Sequence, residues 1–142
     1  MTVSLGLNKF KEAQKDFYKQ AKREIRQGYK KTCWIWFIFP QLKGLGFSTV
    51  SDYYGLQNVQ EAQSYYEDKY LRHNLTEMFR IVLKMKNTED FMYCFGETDG
   101  KKVRSCATLF YLATKKSIFK RFLDKFFNGL LDEQTMLLLR ER

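Results

Sequence analysis

Proline occurs once in this chain of 142 residues, histidine once and glycine eight times. So few residues that interrupt regular structure exclude a collagen-like, low-complexity or loop-dominated chain. The single His73 leaves no zinc set of several histidines and only one residue on which a Ser-His-Asp arrangement could be built. Cysteine occurs three times, at Cys33, Cys94 and Cys106. The number is odd and no C-x-x-C pair is present, which points to free thiols in a reducing compartment. No run of eighteen apolar residues exists, so no membrane-spanning helix is expected. The N-terminal MTVSLGLNKFKEAQ lacks the basic start and long apolar stretch of a secretory signal. These absences predict a cytoplasmic protein with no metal, no cofactor and no membrane partner.

What is present is ordinary for a globular domain except in two respects. Hydrophobic residues make up 44% and charged residues 29%, which excludes a disordered chain. Aromatic residues reach 17%, and the net charge is +9. Residues 1–31 hold nine bases against three acids, so two-thirds of the excess charge sits in the first fifth of the chain. Such a stretch attracts phosphate-bearing partners whatever their sequence, or it is a solvated helix face. No helix-turn-helix, zinc-finger or RNP-type motif supports specific duplex recognition.

Helical spacing recurs throughout. Phe10, Ala13, Phe17, Ala21 and Ile25 step by three and four over residues 9–27, with Asn8 as the expected N-cap and Gly28 as the stop. CWIWFIFPQ (33–41) is the most apolar stretch, a buried strand or a short buried helix by periodicity alone, ended by Pro40. Residues 41–55 read as an ordered loop with one helical turn. Asn58 and Glu61 form a capping-box pattern before a helix through Glu67. Leu71, Leu75, Met78, Val82 and Met85 mark the next helix. Thr88–Asp90 opens a short one that Gly96 ends. Further stripes run from Asp99 to Ala113, from Ile118 to Phe127 and from Asp132 to Leu139. The expectation is an all-α single domain, residues 1–142, a bundle of six to eight helices.

Two segments could carry chemistry. The first is Trp34, Trp36, Phe37, Phe39 and Gln41: core packing, or a stacking wall for a planar ring, with the Gln41 amide reading polar edges. The second is GETDGKKVRSCATLF, where a helix starting at Asp99 would expose unpaired N–H groups beside Lys101, Lys102, Arg104, Ser105 and Thr108. It lacks the Walker-type pattern, and a solvated turn capped by Asp99 is the competing reading. Cys33 lies in the apolar segment, where burial raises a thiol pKa, and Cys106 lies on a core face. His73 reads as a surface residue. Asp52, Glu61, Glu97 and Asp99 are carboxylates with no spacing that pairs them for acid–base work.

The order of FKEAQ (10–14), YKQAKREIRQGYKKTCWIWFIFPQLKGLGFS (18–48), YYGL (53–56), EAQSYY (61–66), FGETDGKKVRSCATLF (95–110) and FLDKFFNGLLDEQTMLLL (122–139) resembles the family called domain of unknown function 1810. The resemblance covers nearly the whole chain, and W-x-W-F-I-F-P-Q followed by G-L-G-x-S is its most specific part. It implies an all-helical single-domain fold and no established activity. Members of that family commonly carry His directly before the first Trp, where this chain has Cys33.

Together these readings predict a module that binds a phosphate-bearing, nucleotide-like small molecule, a nucleotide or an ADP-ribose-type compound. Trp34, Trp36 and Tyr54 would form the wall and Gln41 would read the ring. Asp99, Lys102, Arg104, Ser105 and Thr108 would provide the anion site at the helix start. The alternatives are a hydrolase using Asp99 or Glu61 on such a ligand, and a module holding nucleic acid or an acidic partner through the basic residues 9–31.

Overall fold

Helical periodicity carries through to a chain that is helical almost throughout. The computed structural model describes residues 2–142. Among these are eight helices and no β-strand: α1 (Thr2–Gln27), α2 (Ile35–Ile38), α3 (Thr49–Tyr54), α4 (Val59–Glu67), α5 (Lys69–Leu83), α6 (Thr88–Thr114), α7 (Ser117–Phe127) and α8 (Glu133–Arg140). Local chemistry sets most boundaries. The Asn58 side chain accepts from the Glu61 N–H and the Asp132 side chain from that of Thr135, as N-caps do. Gly28, at φ +87, ends α1, its N–H and that of Tyr29 returning to the carbonyls of Ile25 and Glu24. Asn8 is not a cap. The helix has already begun at Thr2, and Asn8 lies exposed on it.

The aromatic surplus is spent mainly on the core. One buried cluster runs from Leu7 to Phe126, and Phe79 is its hub. That ring stands edge-on to Phe39, Phe119 and Phe122 at 5.2–5.3 Å, the geometry that sets a ring's positive edge against a negative face. Phe91 stacks on Phe126 at 4.8 Å and ties α6 to α7. The stripe expected on α1 is only partly the buried one. Phe17 is 45% exposed, its ring resting against Phe37, whereas the polar Gln14 is buried. Gln14 Nε2 donates to the Phe37 carbonyl and to the Tyr65 hydroxyl, and its Oε1 accepts from Asn74. A buried amide must be bonded this fully to be tolerated, and the set fixes α1 against α2, α4 and α5.

The loop between α2 and α4 is drawn tight. The Lys43 N–H donates to the Leu56 carbonyl at 2.7 Å and the Leu56 N–H to the Gln41 carbonyl at 3.0 Å, forming an isolated parallel bridge. Gly55 permits this approach, since a Cβ there would stand 2.6 Å from the Lys43 Cα, inside any tolerable contact. Gly55→Ala therefore lowers the unfolding free energy by about 1–3 kcal/mol, measurable by chemical denaturation. The same change at exposed Gly6, where nothing but the end of the Glu61 side chain comes within 4 Å, has no such clash.

Candidate functional site

The tryptophan segment is positioned by a carboxylate on the last turns of α1. Glu24 is 4% exposed and accepts from the Lys31 and Thr32 N–H groups, the Thr32 hydroxyl, Gln20 Nε2 and the Trp34 indole N–H, the last at 2.9 Å. Burial alone would raise its pKa. The donors outweigh that and hold it at about 2, against an ordinary 4.5. Trp34 is thereby locked inward, fully buried and edge-on to Phe95, so it presents no face to a ligand. The apolar segment resolves as a short helix, with Ile35, Phe37 and Ile38 buried and Trp36 left half-buried.

The second segment departs from expectation in a specific way. α6 breaks at Gly96 (φ 79, ψ 168), and Asp99 lies in the first turn of the helical segment that resumes after it. Its carboxylate is not a backbone cap. It bridges two lysines, Lys30 Nζ at 2.8 Å and Lys102 Nζ at 3.2 Å. The two ammoniums face indole rings. Lys30 Nζ stands 5.0 Å from the Trp34 ring centroid and Lys102 Nζ 5.5 Å from that of Trp36, within cation–π range. The structure therefore joins Trp36 to Asp99 and Lys102, more than sixty residues further along the chain, in one cluster that also takes in Lys30, which the sequence shows only as one of many charges.

The remaining expected residues lie elsewhere. Arg104 donates to the carbonyls of Leu130 and Leu131 and covers the Phe127 ring at 5.0 Å. Thr108 is fully buried, donating to the Arg104 carbonyl and accepting from the Asp132 N–H. Ser105, also buried, bonds back to the Lys101 carbonyl. Arg104 and Thr108 secure the connection into α8, and Ser105 and Thr108 do not project outward as their spacing suggested. Tyr54 packs on Phe10, Phe37 and Tyr53, and burial raises its pKa.

Gln41 sits between these groups in character. It is 7% exposed, its backbone carbonyl accepts from Leu56, and its amide lies beside Gly46, where a Cβ would stand 3.8 Å from Nε2. Among the described residues, none hydrogen-bonds that amide. Cys33 is exposed, a correction to its expected burial, because it falls in the turn before α2. Burial pushes the Cys94 thiol up to about 11 and raises that of Cys106, which leaves both inert. Of the carboxylates, Glu61 Oε1 accepts from the Gln57 N–H at 2.8 Å, completing the turn before α4.

Among the described residues, no helix is long and apolar enough to cross a membrane. The solved structure of the conserved hypothetical protein Rv1873 from Mycobacterium tuberculosis is similar over 94% of this chain and 96% of its own. The two share 35% sequence identity at a TM-score of 0.89. No curated protein matches the chain. The family model described as "Protein of unknown function (DUF1810)" matches residues 4–139, and the chain belongs to that family.

Proposed function

We propose that this chain is a cytoplasmic binding module for a phosphate-bearing, ring-containing small molecule of the nucleotide or ADP-ribose type. The observation that carries the reading is the contact of Lys102 with Trp36, which puts a cation over one face of a half-buried indole. Lys30 and Lys102 against Asp99 leave the cluster with one net positive charge, and Asp99 holds both ammoniums in position for an incoming anion. Trp36 is the stacking surface. Gln41 brings an amide that no described residue hydrogen-bonds. Trp34, Arg104, Ser105 and Thr108 hold the fold together instead of touching the ligand.

Binding is favoured over hydrolysis because both candidate carboxylates are engaged. Asp99 is shared by two ammoniums, and Glu61 accepts from a backbone N–H. Neither is a free base toward water. A panel of AMP, ADP, ATP, dinucleotides and ADP-ribose, scored by thermal shift, tests the proposal. At least one is expected to raise the melting temperature, since ligand at a hundred times its Kd adds about 2.7 kcal/mol. Trp36→Ala should remove the shift and Lys102→Ala should reduce it, and a panel without any shift refutes the reading.

A second reading has its own observation. Lys15, Lys19, Arg23 and Arg26 make no ion pair with any described residue, and Lys19, Lys22, Arg23 and Arg26 line a hollow of about 350 Å³ on α1. Nucleic acid held there would bind with a steep salt dependence and be lost on reversal of Lys15, Lys19 and Lys22 to Glu. Binding that survives those reversals belongs to the first reading.

A further inference from the structure

A second cavity, about 420 Å³ in volume, opens where the C-terminal ends of α1 and α5 meet the start of α6. It is independent of the Trp36 cluster, and its chemistry differs. Its floor is apolar. Ile25 is 2% exposed, and Ile81 and Met85 are packed against the core. Its rim is aromatic, because Tyr93 is 70% exposed and its ring lies 5.3 Å from that of Tyr29, itself 47% exposed. Large aromatic surfaces left in water as a pair beside an apolar hollow are what a ring-binding site requires. Gly28 lines the same hollow, and nothing lies within 4 Å of where its Cβ would stand, so the backbone there faces open space.

Three charged groups line the cavity: Arg26 from α1, Lys84 from the end of α5 and Asp90 from α6. None forms an ion pair with a described residue. The partial negative charge at the ends of α1 and α5 explains why cations are tolerated here. The carbonyls of Glu24, Ile25, Ile81 and Val82 there are already bonded by the N–H groups of Tyr29, Gly28, Lys84 and Met85, and that of Leu83 by Lys125. The lining therefore carries a net charge of one positive unit, which matches a monoanion and not a polyphosphate. The size falls within the range of cavities that enclose small organic ligands.

We infer that this cavity binds a small aromatic carboxylate, its ring between Tyr93 and the Ile25–Ile81–Met85 floor and its carboxylate at Arg26 and Lys84. Asp90 accepts a hydroxyl or ring N–H of the ligand, which favours hydroxylated or indolic acids over plain benzoate. Charge-assisted hydrogen bonds to the carboxylate supply the selectivity, because a neutral amide of the same shape would forgo them.

The test is methyl NMR of protein carrying isotope-labelled methionine, five methyl signals in all, with the Met85 signal assigned by its loss in Met85→Leu. The probes are para-hydroxybenzoate and indole carboxylate, with para-hydroxybenzamide as the neutral control. Both acids are expected to shift the Met85 signal saturably at millimolar concentration, and the amide to bind about tenfold or more weakly. Arg26→Gln, Lys84→Gln and Tyr93→Ala should each weaken the acids by a similar factor, while Trp36→Phe leaves them unaffected. These are rim positions, so the folded spectrum remains as the control in every variant. The inference is overturned if neither acid moves Met85, if the amide binds as well as the acids, or if the Arg26→Gln, Lys84→Gln double variant binds as wild type does.

Discussion

Glu24→Ala lowers the unfolding free energy by about 3–5 kcal/mol, because it leaves buried donors facing an empty space. The Trp34 indole N–H and the Lys31 and Thr32 amides all lose their acceptor at once. The loss extends to the candidate site, since the turn that carries Lys30 onto Asp99 is held by those same bonds. The pH dependence follows from the depressed pKa. A carboxylate held at about 2 against an ordinary 4.5 stabilises the fold only while ionised, by about 3 kcal/mol at neutral pH. That contribution is complete above about pH 4.5 and lost as pH falls through 2. The stability gap between wild type and Glu24→Gln should therefore be full at pH 7 and close across this acid window, as read by urea titrations at stepped pH.

Phe79→Ala costs a comparable amount, about 3–5 kcal/mol, through the cavity left where three rings met. Phe79 joins Phe39, at the end of the tryptophan segment, to Phe119 and Phe122 on α7. Its removal takes away edge-to-face partners as well as buried area. Phe79→Leu fills most of the volume and should recover more than half of the loss in denaturant melts. Equal destabilisation by Ala and Leu would mean that ring orientation, not volume, dominates at this hub.

The parts of the fold legible in the sequence are those set by neighbours along the chain. Asn58, Asp132 and Gly28 act within one turn of themselves, so their residue type and position suffice. Residues whose partners come from distant elements are read wrongly when only apolar spacing is followed. Gln14 and Glu24 stand four after Phe10 and three after Ala21, in register with the buried stripe. That register was the available signal that each must have a buried partner. Ser105 and Thr108 mislead for a related reason. α6 is buried on all sides from Ser105 to Phe110, so the polar face that amphipathic reasoning assigns to it does not exist. Of the site, the nearness of the aromatic and cationic segments was inferable. The role of Lys30 was not, because only the fold brings the chain after Gly28 back onto α6.

The proposed function requires Trp36 and Lys102 to form one surface that takes up a ring and its phosphate. Intrinsic fluorescence tests it directly, since the chain has two tryptophans and Trp34 is sealed in the core. Titration with the panel member that gives the largest thermal shift should quench emission saturably. The quenching should vanish in Trp36→Phe and require about tenfold more ligand in Lys102→Ala. Emission that stays unchanged up to millimolar ligand, or quenching that persists in Trp36→Phe, would contradict it.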